Sequence, residues 1–188
     1  MRKTLILFAC LLLVLSAQAQ NRYFTREGNI SFYSEAPIEN IEAHNTQVSS
    51  FVNFDTGELV FSVPMKAFNF RKSLMQTHFN ENYVESDKYP RGTFKGAIEN
   101  IKSVNLQQDG LYKVKVNGQL TIHGVTQPVA ADGTLEVKNG KVIAKSAFTV
   151  TPEQFEIEIP LLVRAHVAKI ILIKVNAAYA PYLAKNPN

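Results

Sequence analysis

The chain has 188 residues, a length that suits one domain with a sizeable core. It carries 20 Lys and Arg against 16 Asp and Glu, with no basic cluster of the kind that makes a nucleic-acid surface. Its single cysteine excludes a disulfide framework, so stability must come from the core and from sheet closure.

Residues 1–19 read as a secretory signal rather than as fold. Arg2 and Lys3 precede an apolar run from Leu5 to Leu15, and Ala17-Gln18-Ala19 is a small-x-small cleavage site. The run is too short for a membrane-spanning helix, which needs about 20 residues. Cys10 after Leu7-Phe8-Ala9 faintly resembles a lipoprotein box, a weaker reading because the apolar run continues past it. Cleavage near Ala19 leaves residues 20–188 as one periplasmic or secreted domain with no cysteine and no transmembrane span.

Along that domain, Asn21 to Ala36 alternates as a half-buried strand, and Gln47–Phe54 and Glu58–Met65 follow, joined by Asp55-Thr56-Gly57. The period then changes. Leu74 and His78, and Met75, Phe79 and Tyr83, recur at spacings of four, which predicts a short one-sided helix over about 71–82. Such a helix among strands must bury its stripe, and the mouth of a rolled sheet is the natural place. Pro90 keeps Tyr89 extended, and a strand runs from Thr93 to Ile101. Tyr112, Val114, Val116, Gly118, Leu120 and Ile122 share one face of the next strand, with Lys113 and Lys115 on the other; Gly118 marks a bulge, a corner or a close approach. His123-Gly124 turns into Val129–Val137, Asn139-Gly140 is a tight hairpin signal, and Lys141–Thr151 answers it. Pro152–Lys169 is irregular, Ile170–Tyr179 is a last strand, and Pro181–Asn188 is a tail. About eight strands at hairpin spacing predict a mainly β, closed antiparallel barrel with one short helix at its mouth.

The chain has no Gly-x-Ser-x-Gly, His-Glu-x-x-His, phosphate-cradling loop or dinucleotide fingerprint, and no catalytic residue is assigned. His44, His78, His123 and His166 lack short ligand spacing, so neither a metal site nor a cofactor is expected. His78 has two readings: a structural residue tying the helix to a strand carbonyl, or a polar group meeting a ligand at the mouth. His123, in a turn, reads as structural, and Asp87 with Lys88 as a solvated or locally capping pair.

Met75-x-x-His78-Phe79, then Ser86-Asp87-Lys88-Tyr89-Pro90-x-x-Thr93-Phe94-x-Gly96, then Gly118-x-Leu120-Thr121-Ile122-His123-Gly124-Val125-Thr126-x-Pro128-Val129 closely resemble the YceI-like family, and Phe68-x-Phe70 is similar too. The resemblance implies a lipocalin-like barrel exported to the periplasm, holding an isoprenoid or other fatty chain, and a family not known for a catalytic mechanism. The candidate apolar lining is Leu59, Phe61, Phe68, Met75, Phe79, Phe94, Val116, Leu120 and Phe148, with His78 and Tyr83 as the polar groups at the mouth. The expected partner is a lipid ligand, and the protein a monomer or homodimer. Two other classes stay open: an enzyme acting on a lipid or small metabolite, and a packed barrel serving as an interaction module. Alternation sorts each strand into two faces, and an interior left partly vacant separates the binding protein from the module.

Overall fold

Residues 21–182 are described in the computed structural model, so the signal peptide expected at 1–19 lies outside the described residues. Nine antiparallel strands run through them: β1 (Arg22–Glu35), β2 (Asn40–Asn53), β3 (Glu58–Pro64), β4 (Asn69–Phe70), β5 (Arg91–Ile98), β6 (Gly110–Ile122), β7 (Val125–Lys138), β8 (Lys141–Val150) and β9 (Ile171–Pro181). The order β1-β9-β8-β7-β6-β5-β3-β2 closes on itself because β1 also pairs with β2; β4 is a two-residue addition to β2. The result is the closed eight-stranded antiparallel barrel expected from the pattern.

Period-two alternation sets the interior. On β6, Val114 is buried and Val116, Leu120 and Ile122 face inward, while Lys113 and Lys115 stay in water. One end is plugged by Val52, Leu59, Ile98, Val114, Leu135, Val137 and Tyr179. There the Tyr179 hydroxyl lies 2.6 Å from Ser50 Oγ. Burial pushes the Tyr179 phenol well above its ordinary range, with the Ser50 bond acting the other way. The other end is covered by a second cluster around Ala43, Met65, Phe68 and Val84.

Several boundaries differ from the sequence reading, each for a tertiary reason. β2 starts at Asn40, not Gln47, because its inward row includes Asn45, which is fully buried and donates from Nδ2 to the Pro64 carbonyl at 2.8 Å. β7 begins directly after the His123-Gly124 turn, so Val125–Pro128 belongs to the strand. The expected helix over 71–82 is an α-helix only from Ser73 to His78 (α1) and then widens into one π-helical turn, Phe79–Tyr83, closed by Val84 N–H donating to Phe79 O at 2.9 Å. Pro181 closes β9 and Tyr182 N–H bonds Arg22 O at 2.7 Å, so the tail does not start there.

At the seam between β7 and β8 the ladder runs from Lys138↔Lys141 only to Gly133↔Ser146. Beyond it, Val125–Asp132 pairs with β6 alone and Ala147–Val150 with β9 alone. The turn Pro152–Phe155 packs against β7, with Phe155 buried.

Gly118 turns out to mark a close approach. It faces Gly96 across the β5–β6 ladder, and a Cβ there would stand 2.5 Å from the Phe94 ring and 2.6 Å from the Lys95 carbonyl. The aromatic ring covers the two glycines in place of their side chains. Gly118→Val should therefore destabilise the barrel by ~1–3 kcal/mol, read as a lower urea midpoint at unchanged slope; an unchanged midpoint would contradict this packing.

Candidate functional site

The barrel interior is not filled. An upper cavity of about 410 Å³ lies under α1, and a lower one of about 150 Å³ sits deeper between the sheet walls. Ile30, Met65, Phe68, Ile122 and Ile173 line both, so the two chambers meet at an apolar waist.

The roof of the upper chamber is held by aromatic packing. Phe79, at the start of the π-turn, stacks on Phe32 of β1 at 5.5 Å and meets Phe68 at 5.6 Å and Phe70 at 5.0 Å. Phe32 in turn touches Phe68 and Phe70. Such pairs add about 0.5–1.5 kcal/mol each beyond area burial, enough to fix a short helix that could not stand alone.

All eleven candidates from the sequence stand on these walls. Met75, His78, Phe79 and Tyr83 line the upper chamber, Phe68 the waist, and Leu59, Phe61, Phe94, Val116, Leu120 and Phe148 the lower one. The arrangement of the helix differs from the expected buried double row. Met75, Phe79 and Tyr83 turn inward, while Leu74 is 64% exposed at the rim and His78 is exposed too. Among the described residues no hydrogen bond ties His78 to a strand, and its side chain is exposed where it lines the mouth.

Sequence reasoning missed much of the upper wall. Phe155, Ile157, Ile159, Val163, His166 and Val167 line it, along with Ile30, Phe32 and Ile41. The alternation Ile157-Glu158-Ile159 was the available signal. Polar contacts tie this stretch to its neighbours: Glu39 pairs with Lys72 and lies 3.9 Å from His166 Nδ1, and Ala168 N–H donates to Ser34 Oγ at 2.8 Å. Around this mouth Leu161 and Leu162 are 77% and 95% exposed, an apolar rim above an apolar cavity.

His123 is structural, as its turn position implied. Its Nε2–H donates to Glu85 at 2.8 Å, the Phe155 carbonyl lies 3.2 Å from Nδ1, and the Tyr89 ring meets it edge-on at 4.9 Å. The imidazole thus clips the end of the roof segment and the Pro152–Phe155 turn onto the β6–β7 hairpin. Gly124, at φ +78, leaves room for Tyr89, whose ring a Cβ would meet at 2.5 Å. Asp87 and Lys88 lie in water as expected, though not paired with each other: Asp87 pairs with Lys66, and Lys88 reaches Glu85 at 3.9 Å. No group of three or more His, Cys, Asp or Glu set to hold a metal ion occurs among the described residues.

The family model of the YceI-like domain matches residues 24–179. Among solved structures, the chain is similar to a polyisoprenoid binding domain from Saccharophagus degradans implicated in plant cell wall breakdown, at 11% identity and TM-score 0.75, covering 87% of this chain and 99% of that one. It is also similar to BcnA of Burkholderia cenocepacia (19% identity, TM-score 0.68, 81% and 96% covered) and to the YCEI protein of Campylobacter jejuni (15%, 0.58, 80% and 90%). At these identities the likeness is one of fold. No curated protein matches the chain.

The clip carries a pH signature. The hydrogen bond from His123, with Lys88 adding to it, holds the Glu85 carboxyl below its ordinary range against a smaller opposing effect of burial. A carboxyl lowered on folding contributes stability above its unfolded pKa, and that contribution is lost as pH falls through the folded value. Glu85→Gln should therefore be less stable than the parent at neutral pH, the gap closing in the acid range below the ordinary glutamate value. Urea midpoints against pH measure this; a gap that is constant with pH would remove Glu85 from the clip.

Proposed function

The chain belongs to the YceI-like family, and from that premise we propose that it is a binding protein that holds one long apolar chain, of isoprenoid or fatty type, in its barrel interior. The observation that carries the reading is the pair of apolar chambers stacked inside the barrel, with Met65 and Phe68 lining both. A lipid tail needs no charged anchor there, since each CH₂ taken from water contributes about 0.8 kcal/mol before ordering costs. The polyisoprenoid-binding description of the Saccharophagus degradans neighbour favours the isoprenoid class.

In this reading Phe68 and the upper-wall residues Met75 and Phe79 grip the chain near the mouth. Leu59, Phe61, Phe94, Val116, Leu120 and Phe148 receive what passes the waist. His78 and Tyr83 are the polar groups that meet the end of the ligand left at the mouth. The protein works in the periplasm or outside the cell after removal of its leader, as a monomer or homodimer. No helix among the described residues is long and apolar enough to cross a membrane. The interaction-module reading needs an interior occupied by its own side chains, which the two cavities disfavour. The enzyme reading has no catalytic motif in the sequence to start from.

Native mass spectrometry and lipid extraction of the secreted protein should find one long-chain lipid per barrel. Across saturated alcohols of increasing length, affinity should climb by at most ~0.8 kcal/mol per CH₂ and level off once both chambers are filled. Protein that is empty on isolation and binds none of the series would overturn the proposal.

A further inference from the structure

The exposed apolar residues of the barrel are gathered at one end. Among the described residues seven large apolar side chains stand exposed, and five of them, Ile38, Leu74, Leu161, Leu162 and Ile170, belong to the elements around the mouth. Leu74 lines the upper chamber itself, while Ile38, Leu162 and Ile170 each directly precede a residue that does: Glu39, Val163 and Ile171. Polar bonds draw these elements together. Glu39 pairs with Lys72 and lies 3.9 Å from His166 Nδ1, and Ser34 Oγ, near the end of β1, accepts from Ala168 N–H at 2.8 Å. The turn after β1, helix α1 and the 160–170 stretch are therefore neighbours, and their apolar residues make one rim. The other two, Leu111 and Tyr182, stand at the plugged end, beside Tyr112 and Arg22. Single exposed leucines are ordinary on a surface; a cluster of them round an apolar opening is not.

The rim is basic where it is most apolar. From Ile159 to Ile173 the chain carries Arg164, His166 and Lys169 and no carboxylate. On the helix side the ion pairs turn their cationic ends outward: Arg71 and Lys72 are 87% and 66% exposed, against 31% and 28% for Glu42 and Glu39. Glu35 and Glu158 are the carboxylates that these elements leave exposed, two against four cations. Apolar side chains ringed by a cationic margin match a lipid surface with anionic head groups, where the leucines enter the acyl boundary and the cations meet phosphates. The C-terminal tail cannot provide a cover instead. Residues 183–188 leave from the plugged end and span at most about 20 Å, whereas the eleven residues of β9 cover roughly 35 Å from there to the mouth.

We propose that the mouth of the barrel docks on an anionic lipid bilayer, with Leu161 and Leu162 entering the interface and Arg71, Lys72, Arg164 and Lys169 lying among the head groups. The upper chamber then opens onto the bilayer rather than onto water. This assignment concerns the outside of the barrel and holds whatever the chambers contain.

The chain has no tryptophan, so Leu162→Trp and Leu111→Trp each place a single fluorophore, one on the rim and one at the far end. With vesicles of equal parts phosphatidylglycerol and phosphatidylcholine, the emission of Leu162→Trp should shift to the blue and be quenched by lipids brominated high on the acyl chain, while that of Leu111→Trp stays unchanged. In flotation the parent should partition onto these vesicles about tenfold more strongly than onto phosphatidylcholine alone, the margin shrinking with salt. Leu161→Ser/Leu162→Ser should lose about tenfold in partition while keeping the parent's urea midpoint, since both side chains are exposed. No shift at position 162, equal shifts at 162 and 111, equal partition onto the two vesicle types, or partition unmoved by the double serine variant overturns the proposal. If the parent ignores vesicles and instead forms a concentration-dependent dimer that the double serine variant abolishes, the rim is a contact between two copies and the lipid assignment falls. Each of these failures leaves the reading of the chambers standing, because the alcohol series tests that reading without vesicles.

Discussion

The contact of Phe79 with Phe32, Phe68 and Phe70 governs what this barrel can contain. It props a six-residue helix and its π-turn across the mouth instead of letting them drop into the interior. The widened turn matters here. A regular helix would carry Tyr83 and Val84 round by a further step, whereas the π-turn lets Val84 reach the buried cluster while Phe79 keeps its place among the other three rings. These ring contacts keep the helix out of the space beneath it.

The interior then divides itself by side-chain size. Inward-facing Phe61, Phe94 and Phe148 narrow the lower chamber, and the ring of Phe94 is drawn over Gly96 and Gly118 because those positions present no side chains. Near the mouth, the inward rows of β1 and β9 meet the Pro152–His166 stretch rather than another strand, and the cavity widens. A taper of this kind sorts ligands by length and bore more than by chemical detail.

Much of the fold was legible because strand alternation is local. The inward row of β6, the Asn139-Gly140 hairpin with both residues at positive φ, and the one-sided helix could all be seen in a window of a dozen residues. What escaped depended on partners far away in the chain. Asn45 interrupts an apolar row and is tolerated only because the Pro64 carbonyl accepts from it, so the first half of β2 looked like loop. Leu74 obeyed the helical spacing yet lies outside, since the roof leans on Phe79 and Met75 and lifts the neighbouring row clear. His78 follows it. The stretch from Phe155 to Val167 forms wall without forming strand, and its brief alternation at Phe155, Ile157 and Ile159 is too short, between Pro152 and Pro160, to stand out as an element. The interruption of the β7–β8 ladder is likewise invisible in a sequence whose alternation continues on both sides of it.

The ring is shut by β1, which pairs with β2 on one side and β9 on the other. Synthesis delivers these two closing partners about 150 residues apart, so the first strand must wait for the last. Until then the unfinished sheet presents two bare edges and its oily concave face to its surroundings. With one cysteine in the chain, no disulfide can hold a partial product, and slow delivery of the C-terminal strand leaves those edges open to aggregation and proteolysis.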